Sequence, residues 1–310
     1  MSRKRSLRII IIILLGISLF ACGGEGAEPE TVDEPVEEEP FVPYVVPEFR
    51  TVEFNGTVAE RLDEVHIDSS HMEDGYIAVS AVSDMRLKFR VVHDEEKYNY
   101  DLPKDGTVTF YPLQLGDGEY IFYVYKNIVD TKYSELYKER HDVVLKDSFD
   151  PYLRPNQIVN YQQDSACADK ARELASQAST PIEVVAKIYE YIIGNVVYDY
   201  EKAETVPKSY LPVPDETLQT GKGICFDYAA LAASMLRSVG IPAKLITGKV
   251  SPKELSHAWN MFYTEETGWV TAEFKVNSRE WTRIDMTFSA NGVNEEYIGN
   301  GENYTDLYQY

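Results

Sequence analysis

The side-chain pattern of this chain changes near Pro155, from the two-residue period of β-strands to the longer period of helices. Before that point, runs such as 86–92 (RLKFRVV) and 119–125 (EYIFYVY) alternate or are rich in tyrosine and β-branched residues, and turns with Gly and Asp separate them. This spacing predicts an antiparallel, immunoglobulin-like β-sandwich over 45–150. Helical patterns follow over 155–310, so we expect a multidomain chain.

The first residues predict export. Four basic residues lie within the first eight positions, and an apolar run follows from Ile9 to Phe20. This run is shorter than the apolar stretch of a membrane-spanning helix, so residues 1–21 are predicted to be a secretory signal peptide. The sequence Leu19–Cys22 (LFAC) resembles the lipobox of bacterial lipoproteins. The resemblance implies cleavage before Cys22, a lipid on its thiol and a membrane anchor on the extracytoplasmic face. An ordinary signal peptide with an incidental cysteine is the alternative.

An acidic segment separates this signal from the predicted domains. Residues 25–40 contain eight acidic residues, three prolines and no basic residue, and such a composition cannot bury enough apolar surface to fold. We therefore predict a disordered tether over 22–44. The whole chain has 51 acidic and 30 basic residues and a formal charge of −21. This charge argues against nucleic acid as a partner.

Cysteine and histidine are used sparingly. The chain has three cysteines, Cys22, Cys167 and Cys225, which excludes a disulfide scaffold, although a bridge between Cys167 and Cys225 stays open. The histidines before residue 150 have no metal-ligand spacing; they are His66, His71, His93 and His141. The sequence also lacks a phosphate loop and a dinucleotide fingerprint, so no cofactor is expected.

Cys225 lies at the start of a predicted helix. Small and apolar residues from Cys225 to Val239 have helical spacing, and Gly240 is placed to close the helix in the left-handed conformation. The unpaired N–H groups and the positive dipole end of a first helical turn favour a thiolate over a thiol. A nucleophilic cysteine is one interpretation, and a buried inert cysteine is the other. The proline-containing stretch 198–221 is predicted to be an irregular lid or binding loop.

Two downstream segments contain the groups that a thiolate nucleophile requires, a base and a residue that orients the base. They are 256–260 (SHAWN) with His257 and 281–288 (WTRIDMTF) with Asp285. Together with G-x-C-F-D-Y-A-x-L around Cys225, they resemble the core of the transglutaminase-like superfamily over about residues 160–290. The resemblance implies a papain-like α+β fold for the C-terminal domain. It also implies a catalytic triad made of Cys225, His257 and Asp285.

The expected roles of the triad follow from thiol chemistry. Cys225 would attack an acyl carbon. His257 would hold the thiolate as an ion pair and then protonate the leaving group, and Asp285 would fix the imidazole tautomer.

Three aromatic residues are candidates for supporting roles. The backbone N–H of Cys225 is one expected oxyanion donor, and either Tyr198 or Tyr210 is the candidate for a second. Trp259, close to the histidine, is expected either to shield the ion pair from water or to be part of the core.

Two positions depart from the family pattern. Met286 follows Asp285, where the family usually has proline, and Phe226 follows Cys225, where protein-crosslinking enzymes commonly have tryptophan. Crosslinking is therefore not implied, because the same fold serves peptidases and amidases as readily.

Three functions stay open from the sequence. Water that resolves a thioester at Cys225 makes the chain a hydrolase, a cysteine protease or amidase, which we prefer because water needs no second binding site. A primary amine makes it a protein-glutamine transglutaminase. The third alternative is a non-catalytic surface module in which tyrosines of the β-sandwich bind a sugar or a peptide. The expected substrate is a peptide or protein, and cell-wall peptide is one candidate.

Overall fold

The computed structural model describes residues 40–61, 64–251, 254–266, 268–269, 275–276, 278–291 and 302–310. The predicted signal peptide at 1–21, the predicted lipidation site Cys22 and nearly all of the predicted tether lie outside the described residues. These three features stay predictions.

The β-rich N-terminal region consists of two four-stranded antiparallel sheets. Its strands are Glu60–Arg61 (β1), Val65–Asp68 (β2), Tyr76–Ala81 (β3), Leu87–His93 (β4), Glu96–Leu102 (β5), Thr109–Pro112 (β6), Gly118–Val129 (β7) and Lys132–Val143 (β8). The first sheet has the order β1-β2-β3-β6, and the second has the order β5-β4-β7-β8.

The alternation of side chains in β4 decides which face of its sheet is buried. Leu87, Phe89 and Val91 are buried, and the residues between them are partly exposed, as the two-residue period predicts. The ring of Phe89 contacts Tyr111 of β6, with 4.5 Å between centroids. The two sheets therefore contact each other through their buried faces. The β-rich character is confirmed, and the immunoglobulin-like topology stays a prediction.

The helices follow Pro155, where the sequence period changes. They are Ala166–Ala175 (α1), Pro181–Asn195 (α2), Tyr200–Thr205 (α3), Pro214–Thr220 (α4), Cys225–Ser238 (α5) and Met286–Ala290 (α6), and two short 3-10 helices, Met72–Asp74 and Asp150–Tyr152, precede them. Thr180 caps α2 by accepting the N–H of Glu183. Helix α5 matches its prediction, and Gly240 beyond it has a φ of 81°.

The stretch 198–221 is more regular than its sequence indicated, because it contains α3 and α4. Asp199 starts α3 by accepting the N–H of Lys202 at 2.9 Å. Pro214 begins α4, and Gly221 closes it with a φ of 63°. Helices of six and seven residues are too short to show a hydrophobic period, so the caps were the informative signals.

A second set of strands lies between and after the helices. They are Val197–Tyr198 (β9), Lys222–Gly223 (β10), Ala243–Val250 (β11), Leu255–Tyr263 (β12), Gly268–Trp269 (β13), Lys275–Val276 (β14), Trp281–Ile284 (β15) and Tyr304–Gln309 (β16). Four of them form an antiparallel sheet in the order β15-β12-β11-β16, β9 and β10 pair in parallel, and β13 pairs with β14. Helix α5 packs on this sheet, where the Asn260 amide donates to the Ala229 carbonyl at 2.9 Å. The C-terminal part is therefore α+β, as expected.

Strand β16 contacts the β-rich region. The N–H of Gln309 donates to the Tyr98 hydroxyl at 3.2 Å, and its carbonyl accepts from the Gln114 amide at 3.1 Å. The ring of Tyr310 contacts those of Tyr98 and Tyr100. Residues 41–310 pack as one compact unit, and the predicted domain boundaries stay predictions.

Arg237, near the end of α5, is 2 % exposed. Its guanidinium donates to three backbone carbonyls, those of Ala243 (2.8 Å), Arg154 (2.8 Å) and Tyr310 (2.7 Å). Burial lowers the pKa of Arg237 to about 10, so the side chain stays charged at neutral pH. The Arg237 side chain thereby connects α5 by hydrogen bonds to β11, to the segment before α1 and to the residue after β16.

We expect the substitution Arg237→Met to lower the free energy of unfolding by about 3 kcal/mol. The carbonyls of Ala243 and Arg154 lose the guanidinium as donor, whereas the Tyr310 carbonyl keeps the N–H of Leu245, and a buried carbonyl left without a donor costs about 1–3 kcal/mol. Denaturant unfolding measures this change. Arg172→Met is the matched control, since Arg172 pairs with Asp169 at the surface, and its expected cost is below about 1 kcal/mol. Equal, small losses in both variants would contradict the role assigned to Arg237.

Candidate active site

Cys225 is the first residue of α5, and its side chain is half-buried. Asp227 in the same turn is completely buried and accepts the N–H of Ile224 at 2.8 Å. Gly223 allows this close turn, because a Cβ at that position would lie 2.6 Å from the Cβ of Asp227. The first turn is thereby fixed, and Cys225 lies at the positive end of the helix dipole.

Neighbouring strands bring His257 and Asp285 together. His257 lies in β12, and Asp285 directly follows β15, which pairs with β12. The distance from His257 Nε2 to Asp285 Oδ2 is 2.7 Å, and the two residues are 6 % and 0 % exposed. The Cys225 side chain lies close enough to the imidazole to raise the pKa of His257. Because Asp285 occupies Nε2, Nδ1 is the nitrogen that is left for the sulfur. The three residues predicted from the sequence are therefore adjacent.

The carboxylate of Asp285 has two further donors. Oδ1 accepts the N–H of Phe288 at 2.9 Å, so that Asp285 caps α6. Oδ2 also accepts the Tyr304 hydroxyl at 2.9 Å. Met286 is the first residue of α6, a position that proline fits well. The departure from the family pattern at Met286 therefore leaves the carboxylate in place.

His257 is a cation at neutral pH. Burial lowers the pKa of His257, but the hydrogen bonds and negative charges of Asp285 and Cys225 outweigh this effect and raise the pKa from 6.5 to about 9. The ring of Phe288 stacks on the imidazole with 4.2 Å between centroids, and this contact limits the access of water. A buried imidazolium beside the thiol is the environment that stabilises a thiolate.

The two candidate oxyanion tyrosines lie in different environments. Tyr198 of β9 pairs with Gly223 of β10, two residues before Cys225. Burial and the negative charge of Cys225 raise the pKa of Tyr198, so its phenol lies within electrostatic reach of the sulfur. The Tyr210 hydroxyl instead donates to Asp227 Oδ1 at 2.5 Å.

Sequence reasoning missed the network around Asp227. Lys202 Nζ lies 2.7 Å from Asp227 Oδ2 and 2.7 Å from the Tyr210 hydroxyl. We call these three residues, Lys202, Tyr210 and Asp227, the Asp227 network. The position of Asp227 in the first turn of α5 is a capping signal that could have revealed it. Lys202 has no comparable signal, because its partner lies 25 residues away.

Trp259 belongs to a small core cluster with Ile246, Val250 and Tyr304. It is 1 % exposed, and its ring lies 6.1 Å from the His257 imidazole, centroid to centroid. The residue is therefore part of the core and a neighbour of the imidazole at the same time.

Cys167 is free, as is Cys225. It is completely buried, and its backbone N–H donates to Asp215 at 2.8 Å. Burial raises the pKa of the Cys167 thiol, which makes it a poor nucleophile.

The described part of the chain has neither a candidate metal site nor a candidate membrane span. No group of three or more His, Cys, Asp and Glu side chains in the ranges given above is arranged to hold a metal ion. Within those same ranges, no helix has the length and apolar character needed to cross a bilayer.

Comparisons with known proteins agree with the motifs. Residues 168–286 match the model of the transglutaminase-like superfamily. A UPF0252 protein of Pyrococcus horikoshii is 34 % identical over 80 residues, which is 25 % of this chain and 23 % of that protein. The kyphoscoliosis peptidase of Mus musculus is 29 % identical over 103 residues, which is 30 % of this chain and 15 % of that protein. The chain thus spans less than a quarter of the length of either relative.

A solved structure of a proposed cysteine protease from Cytophaga hutchinsonii is 17 % identical, with a TM-score of 0.40 over 82 % of this chain and 74 % of that one. The family match lies inside the region of about 160–290 for which the motifs predicted it. Residues 168–286 of this chain are a transglutaminase-like core domain.

Proposed function

We propose that this protein is a thiol-dependent acyl-transfer enzyme that acts on peptide or amide bonds. One observation carries the proposal. The buried imidazole of His257 is bound by Asp285 at 2.7 Å, and the Cys225 side chain lies close enough to it to raise its pKa. This arrangement fits nucleophilic catalysis by a thiolate, with a base that is itself oriented.

In the proposed reaction, the Cys225 thiolate attacks the carbonyl carbon of the substrate and forms a tetrahedral intermediate. The backbone N–H of Cys225 and the Tyr198 phenol would donate to its oxyanion. His257 Nδ1–H then gives its proton to the leaving nitrogen as the carbon–nitrogen bond breaks. The product is an amine and a thioester at Cys225. Asp285 keeps the imidazole ring in place throughout.

The acceptor of the acyl group decides the reaction class. Water attacks the thioester with His257 as general base, which releases a carboxylic acid and restores the thiol. We propose hydrolysis because water needs no second binding site, and because one relative is named a peptidase. Attack by a primary amine in place of water would give a transglutaminase.

The substrate and location follow from charge and from the N-terminal motif. The chain has a formal charge of −21, so a neutral or cationic peptide is favoured electrostatically over an acidic one. The lipobox-like LFAC at 19–22 supports a lipid anchor at Cys22 on the extracytoplasmic face.

Lipid labelling tests the anchor. In bacterial cells fed with an alkyne fatty acid, the full chain should acquire the label, and the Cys22→Ala variant should not. Equal labelling of both would contradict lipidation at Cys22.

Product analysis tests the reaction. We expect the full chain to release carboxylic acids from a mixture of neutral and basic peptides faster than it couples them to a fluorescent primary amine. Cys225→Ala should lose both activities by about 10³-fold or more, because the nucleophile is removed. Cys167→Ala, which removes the buried cysteine, should keep them. Amine coupling that is much faster than hydrolysis would reverse the reaction class, and activity that survives Cys225→Ala would exclude the mechanism.

The state of His257 can be titrated directly. Because the pKa of His257 is raised, the imidazolium and its pairing with Asp285 are fully present below about pH 6.5 and are lost as the pH rises through about 9. NMR of the side-chain nitrogens should show this midpoint for His257, identified by its loss in His257→Ala. In Asp285→Asn the midpoint should move to lower pH. The carboxylate charge that raises the pKa of His257 is then absent, whereas the burial that lowers this pKa is unchanged. An unchanged midpoint would contradict the pairing.

A further inference from the structure

We infer that Tyr304 is a positioning residue of this site, whose phenol holds the Asp285 carboxylate ionised and aligned with His257. The inference rests on the proposed function, and it concerns a residue beyond the segment 168–286 that matches the family. The Tyr304 hydroxyl donates to Asp285 Oδ2 at 2.9 Å, the same oxygen that accepts from His257 Nε2 at 2.7 Å.

The need for this donor follows from burial. Asp285 is 0 % exposed, so water does not solvate its charge, and a buried carboxylate is costly unless protein donors replace the water. Phe288 supplies an N–H to Oδ1, and Tyr304 supplies an O–H to Oδ2. Burial and the charge of Asp285 raise the pKa of Tyr304, so its hydroxyl keeps its proton and remains a donor.

The ring of Tyr304 is fixed on two sides. It meets the Trp259 ring edge-on at 4.8 Å, and the guanidinium carbon of Arg283 lies 4.7 Å from its centroid. Tyr304 itself is 8 % exposed. The hydroxyl is therefore presented to Asp285 by a side chain with little freedom to turn away.

The strand β16 is fixed as well. It pairs with β11 so that Tyr304 lies opposite Val250. Gly248 of β11 permits the close approach, because a Cβ there would lie 2.1 Å from the carbonyl oxygen of Thr305. At the other end of the strand, Tyr98 and Gln114 of the β-rich region hydrogen-bond Gln309. The β-rich region thus helps to hold the strand that supplies Tyr304.

The chemical consequence concerns the location of one proton. When Asp285 is ionised, the shared proton stays on His257, and the imidazolium stabilises the Cys225 thiolate. With one donor fewer, the buried carboxylate binds a proton more readily. The pair then shifts toward neutral aspartic acid and neutral imidazole, which gives the thiolate no cation. Loss of the Tyr304 hydroxyl should therefore raise the pH at which Cys225 ionises.

The test is the pH dependence of Cys225 alkylation by iodoacetamide, followed by mass spectrometry on the full chain. Tyr304→Phe removes the hydroxyl and keeps the ring on Trp259. We expect its alkylation midpoint to rise by about one pH unit, so that the rate well below both midpoints falls about tenfold, with the wild-type rate restored once all the thiol is ionised. A purely structural role would not move the midpoint. The other titratable groups around the site, Tyr198, Asp227 and Arg283, are the same in both proteins.

Tyr308→Phe is the matched control, because Tyr308 lies on the same strand, is 41 % exposed and packs on Tyr98. Its profile should superimpose on the wild-type one. If His257→Ala leaves the wild-type midpoint unchanged, the proposed ion pair fails, and the role of Tyr304 fails with it. If His257→Ala raises the midpoint and Tyr304→Phe does not, the inference about Tyr304 is overturned and the proposed function stands.

A measurement on the native protein covers the case in which Tyr304→Phe does not fold. The Tyr304 hydroxyl proton and the His257 Nε2 proton point at one oxygen, so they should show a nuclear Overhauser contact. Absence of this contact at a pH below 7 would overturn the inference.

Discussion

The buried carboxylate of Asp285 is the interaction on which the site depends. It accepts hydrogen bonds from His257, Phe288 and Tyr304, which belong to three different elements. A carboxylate without solvent is stable only with such donors, so β12, the first residue of β16 and the start of α6 must meet at the end of β15, where Asp285 lies. The same charge keeps His257 cationic, and His257 in turn faces the thiol of Cys225. One buried charge therefore links the packing of the sheet edge to the chemistry at the helix terminus.

The nucleophile side is organised by a second buried carboxylate. Asp227 accepts from the backbone of Ile224 and from both other members of the Asp227 network. These contacts connect α3 and the segment before α4 to the first turn of α5. Because Asp227 is two residues from Cys225, they fix the position of the thiol without contacting it. Two fully buried aspartates, one bound to the imidazole and one in the helical turn that carries the thiol, thus define the geometry of the site.

The β-rich region takes part in this arrangement through β16. Its hydrogen bonds to Gln309 and the contacts of Tyr310 with Tyr98 and Tyr100 hold the end of that strand. Arg237 of α5 donates to the carbonyl of Tyr310. The strand that carries Tyr304 is therefore held by both parts of the protein. This arrangement gives the β-rich region a structural role in the site that does not require it to bind a ligand of its own.

The sequence by itself determined the local elements whose signals are contiguous. The alternation in β4, the cap at Thr180 and the glycine after α5 each act over a few residues, so each could be recognised before the structure was known. Cys225, His257 and Asp285 were identified because their motifs are short and occur in a recognisable order. The tertiary structure alone decided how these motifs combine with distant residues. Lys202 and Tyr304 reach the two aspartates through pairings across 25 and 19 residues that leave no periodic trace. Long-range donors are selected by burial and strand order, and these are properties of the packed fold and not of any local stretch of sequence.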